Sequence, residues 1–166
     1  MTITEFWKII EKSKHGAESS DEQAEKLEAF LSDLPPEEIV AFDKIFTDFR
    51  YTAYRWDLWG VAYLLCGGCG DDAFDYFRAW LIGRGQQFYE DAINDPESVA
   101  RKVTEDDCPE AESLMYAAAK AYEDKVGEEL PADARLHPEE PAGTEWEEAD
   151  LPKLFPVASE KEGICG

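Results

Sequence analysis

Between Tyr54 and Tyr89 the chain sets Arg55, Asp57, Asp75 and Arg78 among Trp56, Trp59, Tyr76, Trp80 and a Cys66-Gly-Gly-Cys69 turn. Two chemistries are open to that set. In a cleft, Arg55 and Arg78 would hold an anionic ligand by charge-assisted hydrogen bonds, Trp56, Trp59, Tyr76 or Trp80 would stack on it, and Asp57 or Asp75 would act as general base. In a core, the same charges must pair, because an unpaired buried charge costs several kcal/mol. Asp57 then caps its helix or pairs with Arg78, while Arg55 pairs with Asp71 or Asp75, and the pairs fix how the helices cross. Structural ion-pair networks are the commoner cause of such patterns, so pairing is the preferred reading. It expects Asp57→Ala to alter stability more than any activity.

The Cys66/Cys69 spacing is that of thioredoxin-type motifs, which work at a helix N-terminus, where the dipole lowers the first thiol's pKa. Here Cys66 ends a helix and Asp71 and Asp72 follow, so redox work is not expected of this pair. A zinc site would need two more ligands from Cys108, Cys165, His15 and His137, none of which forms a second close pair. The thiols read as small buried hydrophobes and the histidines as solvent-facing. No metal or other cofactor is expected, and no nucleophile–base pair or phosphate loop singles out a reaction.

The elements that must position these residues are helices. Thr2 and Glu5 form a capping box ahead of Phe6, Trp7, Ile9 and Ile10, and His15-Gly16 closes that helix. Ser19 or Ser20 caps a second helix to about Ser32, and Pro35-Pro36-Glu37-Glu38 opens a third that reaches at least Tyr54. Residues 56–65 are apolar on nearly every face, the pattern of a helix in the middle of a bundle. Asp71 or Asp72 caps the next, and Gly83-Arg84-Gly85 marks a kink or a close helix contact. Shorter helices follow from Pro96 to about Val103 and from Asp107-Cys108-Pro109-Glu110 to Gly127. No stretch alternates with period two, so no sheet is expected.

Beyond Gly127 the texture changes: prolines and acids dominate, with apolar anchors only at Leu130, Leu136, Trp146, Leu151, Leu154 and Phe155. The expectation is an all-α fold, a compact bundle of six to eight helices over residues 1–127, with an extended acidic C-terminal arm, residues 128–166, packed on it. Asp150 to Phe155 should form one helical turn, and Ser159 to Gly166 should fray.

The run Ala53-Tyr-Arg-Trp-Asp-Leu-Trp-Gly-Val-Ala-Tyr-Leu64, the Gly-Gly-Cys-x-Asp-Asp-x-Phe at 67–74 and the Phe-Asp-Tyr-Phe-Arg-Ala-Trp-Leu-Ile-Gly-x-Gly at 74–85 resemble the bacterial domain-of-unknown-function 4240 family. The Phe6-Trp7 helix and a late Trp-Glu-Glu-x-Asp-Leu-Pro at 146–152 fit the same family. The resemblance implies no activity, substrate or catalytic residue.

Charge narrows the classes. The 166 residues carry 38 acidic and 16 basic side chains, a net −22. Residues 104–150 alone hold 16 acids against three bases. Direct binding to nucleic acid or an anionic membrane surface is not expected, since both require Lys and Arg to neutralise phosphate. A solvated face is the plain use of such charge; docking on a basic protein partner, or mimicry of a nucleic-acid backbone, is the functional one. With no basic leader or apolar run of membrane length, a cytoplasmic protein is expected. The favoured function is a binding or interaction module, and the alternative is a small-ligand protein or enzyme using the Arg/Asp/aromatic cleft over residues 55–80.

Overall fold

Thr2 Oγ1 accepts from the Glu5 amide at 3.1 Å and Glu5 Oε2 accepts from the Thr2 amide at 2.6 Å. This capping box starts α1 (Ile3–Lys14), whose Phe6, Trp7 and Ile10 are buried. Ser19 caps α2 (Ser20–Ser32), and Pro36 opens α3 (Pro36–Thr52), which stops short of Tyr54. The all-apolar segment is α4 (Trp56–Leu65), and α5 (Asp71–Gly83) follows it. Gly70 stands at the cap of α5, with Asp71 and Asp72 in its first turn, where carboxylates favour the positive helix end.

A computed structural model describes residues 1–165 of the chain, and these are all-α, with ten α-helices and no strand among them. The additional count over the six to eight expected comes from one-turn elements. Gly83 makes the close contact, since a Cβ there would lie 2.6 Å from Leu114, and Gly85 makes a break in place of a kink, taking φ +98° and ending the run before α6 (Gln86–Asn94). Next come α7 (Glu97–Lys102) and α8 (Ala117–Val126). The latter begins well after Asp107, with only a 3-10 turn at Glu112–Tyr116 ahead of it. Pro109 and the non-helical Ala111 occupy the stretch expected to be helical, and the Ala111 amide instead donates to the Tyr76 carbonyl at 3.1 Å. Two short helices close the described chain, α9 (Leu151–Leu154) and α10 (Pro156–Glu160).

Two groups of helices share one core. In the first, α2 packs against α1 and α8, and α8 against α3. In the second, α4 is enclosed by α5, α7 and α10. Leu58, Val61, Ala62, Leu64 and Leu65 of α4 are buried, and Trp56, Trp59 and Tyr63 on its other side are half-buried. Gly60 allows one wall to come close, since a Cβ there would lie 2.5 Å from the Phe155 ring and 3.1 Å from Leu151.

Residues 127–147 form no helix, but they are tied down. The Trp56 amide donates to the Ala142 carbonyl and the Ala142 amide to the Tyr54 carbonyl, both at 2.9 Å. Trp146 Nε1 donates to the Trp56 carbonyl at 2.7 Å. Leu151 is buried and Phe155 half-buried, whereas Leu136 and Leu154 face solvent, so they anchor nothing. Nor do residues 159–165 fray: the Gly163 and Cys165 amides donate to Leu64 and Leu65 carbonyls at 2.9 and 3.0 Å. Gly166 lies outside the described residues. No helix among the described residues is long and apolar enough to cross a membrane.

Candidate functional site

The eight candidate residues separate into three places. Arg78 is the first, 1% exposed and the largest fully buried side chain described. It points inward because α5 puts it on the same face as Phe74 and Leu81. Its guanidinium is satisfied on all sides: Nε donates to the Phe74 carbonyl at 3.3 Å, Nη1 to the Arg50 carbonyl at 3.1 Å, and Nη2 reaches Asp75 Oδ1 at 3.1 Å. It also lies over the rings of Tyr54 at 4.6 Å and Phe74 at 4.9 Å. Burial lowers the Arg78 pKa to about 10 while the Asp75 carboxylate pulls it back up, so the group stays charged at neutral pH.

Asp75 takes a second arginine. Arg50, near the end of α3, donates through Nη1 to both oxygens at 3.0 and 3.1 Å. One carboxylate therefore bridges two guanidiniums and joins α3 to α5. Sequence reasoning missed Arg50. Its signal was present, since it stands four residues after Phe46 and four before Tyr54, on the inward face of its helix.

The second place is the start of α4. Arg55 pairs with Asp57 two residues on, through Nε at 3.0 Å and Nη2, and its Nη1 donates to the Ile93 carbonyl at 2.8 Å. Of the two roles expected of Asp57, it takes the one at the helix start and pairs with neither Arg78 nor any other α5 side chain, and Arg55 meets neither Asp71 nor Asp75, so the expected cross-helix pairs are corrected. The geometry explains this, because Asp57 in the first turn of α4 lies beside the extended Arg55 and accepts the Leu58 amide at 2.7 Å. A cleft of about 390 Å³ opens beside this pair, walled by Gly143, Thr144, Trp146 and Phe155.

The tryptophans stack on protein. Trp56 and Trp59 are parallel at 5.4 Å, Trp59 lies on Phe74 at 4.9 Å, and Phe77 and Trp80 carry the column on to Phe88. Trp59 Nε1 is spent on the Cys69 carbonyl at 2.8 Å. So the two arginines take separate carboxylate partners, and Trp56, Trp59 and Trp80 are packed on protein rings.

Tyr76 marks the third place. Carried outward by α5, it lines an open cleft of about 410 Å³ with Tyr116, Asp21, Cys108, Glu110 and Glu112. Glu112 Oε1 accepts from the Tyr116 hydroxyl at 3.3 Å. Burial and then the Glu112 carboxylate raise the pKa of both phenols, which keeps them neutral donors. Among the described residues Lys120 is the one cation on this wall. The cleft presents aromatic faces and carboxylates together, the lining that suits an ammonium or guanidinium group. Tyr116, Glu110 and Asp21 were not singled out from the sequence, because the cleft joins three separate segments, α2, α5 and the stretch before α8.

Among the described residues no group of three or more His, Cys, Asp or Glu side chains is arranged to hold a metal ion. The cysteines are all free. His137 is solvent-exposed, yet its ring packs edge-on to Tyr54 at 4.5 Å and Nε2 lies 3.4 Å from Arg78 Nη2.

An all-α chain with a buried arginine–carboxylate bridge and an acid–aromatic cleft is the class that fold and geometry define. By family, the chain belongs to the proteins of unknown function designated DUF4240, whose model matches residues 1–124. The Trp146–Pro152 stretch, which carried part of the resemblance, lies beyond that match. No curated protein and no solved structure matches the chain.

Proposed function

We propose that this protein is an interaction module that docks a basic segment of a partner protein in the Tyr76/Tyr116 cleft. The observation that carries the reading is Glu112 set between two tyrosines, with Glu110 and Asp21 alongside, on a chain of net charge −22. A lysine or arginine of the partner would lie against the phenol rings while its charge meets the carboxylates. The arginines that an anion site would need are spent on Asp57 and Asp75, which supports a cation-binding use over an anion-binding one.

In the same reading the protein is cytosolic and bacterial, and residues 128–166 are an acidic arm on the helical body of residues 1–127. That arm adds carboxylates to the field that steers a basic partner inward. Nucleic acid and membrane are not partners.

Fluorescence anisotropy with labelled Lys/Arg-rich peptides tests this. Binding should weaken steeply as salt rises, and Tyr76→Ala or Glu112→Gln should reduce affinity roughly tenfold while the fold is kept. Basic peptides that fail to bind at low salt, or bind both variants as well as wild type, would sink the proposal. The second reading is a small-ligand or enzyme site in the Arg55/Asp57 cleft, favoured by its 390 Å³ volume and its Trp146 and Phe155 walls. A thermal shift by one small anion that is lost in Arg55→Ala would favour it.

A further inference from the structure

The four cysteines come from three stretches of the chain, around residues 66–69, at 108 and at 165, which meet at one end of α4. Cys66 stands at the C-cap of α4 and Cys69 follows after the Gly67-Gly68 turn. Cys165 returns from the other end of the chain, its amide bonded to the Leu65 carbonyl at 3.0 Å, and a Cβ at Gly67 would lie 3.6 Å from the Gly163 Cα. Cys108 sits in the exposed loop between α7 and α8. Burial, and after it Cys69, Cys165, Glu110 and Cys108, push the Cys66 thiol up to about 12, in keeping with that placement.

A backbone hydrogen bond from residue 165 to the carbonyl just before Cys66 is a tight constraint. By standard peptide dimensions it holds the two Cα atoms within roughly 7 Å, the span that a disulfide bridges. Cys69 is a poorer partner. Its thiol is buried and turned to the Gly70 carbonyl at 3.7 Å, and its own carbonyl is held by Trp59. Metal ligation is disfavoured, since no three of these groups stand at ligating distance.

We propose that Cys66 and Cys165 are a reversible disulfide pair, oxidised by a low-molecular-weight disulfide of the glutathione type, which staples residues 161–165 to the end of α4. The thiolate of Cys165 attacks one sulfur of the small disulfide, forming a mixed disulfide and releasing one glutathione thiolate. The Cys66 thiolate then attacks the Cys165 sulfur, closing the protein S–S bond and expelling the second glutathione. Two protein thiols are oxidised, one disulfide is reduced, and both protons end on glutathione. Cys165 is first because its thiol is the less raised, to about 11 against about 12 for Cys66, in both cases chiefly by burial. Scarce thiolate at neutral pH makes the reaction slow there and faster towards pH 9.

Intact-mass measurement of the protein incubated with oxidised glutathione at pH 8.5 is the test. The expected result is a loss of about 2 Da, reversed by dithiothreitol, with Cys66 and Cys165 peptides linked in the map. Closing a ring of about 100 residues should raise the melting temperature by roughly 5–15 °C. Cys165→Ser should abolish both changes with its circular dichroism unaltered, and Cys108→Ser should abolish neither. An unchanged mass, glutathione adducts without ring closure, or a bond mapped to Cys69 or Cys108 would overturn the proposal. So would stoichiometric zinc in the reduced protein that disappears in Cys165→Ser.

Discussion

Asp75 illustrates how one side chain can decide the state of two others. Among the described residues Arg50 and Arg78 both take it as their only carboxylate, and Arg78 is sealed from water. Asp75→Ala leaves a buried guanidinium without a counter-charge and should cost about 3–5 kcal/mol. Arg78→Met removes the buried charge itself and leaves Asp75 paired with Arg50, so it should cost only about 1–2 kcal/mol. Urea denaturation of the two variants gives the ordering directly, and an Arg78→Met variant weaker than Asp75→Ala would refute this account. That these charges would be paired was legible in the sequence, because Arg78 shares a helical face with Phe74 and Leu81. Which partners they take was not. Pairing depends on how α3 crosses α5, and no local pattern encodes that crossing.

At the level of elements, α4 was the most legible, since a helix apolar all round has one place to go. The same sequence is silent on what covers it. The cover is α5, α7 and α10, the last contributed by a segment whose composition reads as an extended arm. Pro156 and the Glu97 carboxylate start α10, with Glu97 Oε1 accepting the Val157 and Ala158 amides at 2.8 and 3.2 Å. This cap crosses between elements, so local spacing could not reveal it. Gly60 is where the cover meets the helix. Alanine there gains about 1 kcal/mol of helix propensity but drives a methyl into Phe155 and Leu151. Gly60→Ala should therefore lower the melting temperature by a few degrees and speed proteolysis within residues 150–165. A variant that melts higher than wild type with unchanged proteolysis would show that Phe155 yields without cost.

Over the whole molecule, charge and packing pull in opposite directions. A net −22 on 166 residues repels itself in the compact state. Raising sodium chloride from about 10 to about 300 mM should screen that repulsion and raise the melting temperature by several degrees, with no change in circular dichroism. A flat or falling curve would mean that the carboxylates are balanced locally. The Tyr76/Tyr116 cleft belongs to this scale, which is why the sequence showed only one of its walls. Its carboxylates come from α2 and from the loop before α8, and nothing short of the assembled fold brings them beside α5.

The route by which residues 142–165 reach α4 has a consequence for synthesis. On the ribosome α4 emerges about 80 residues before Ala142 and about 100 before Cys165, at a rate of roughly 5–20 residues per second. For several seconds the most apolar helix of the chain lacks the Trp146, Leu151, Phe155 and Ala158 side of its burial. Closure of that side joins residues distant in the chain, the kind of contact that forms late. Nascent chains halted before residue 142 should therefore be the chaperone-dependent ones.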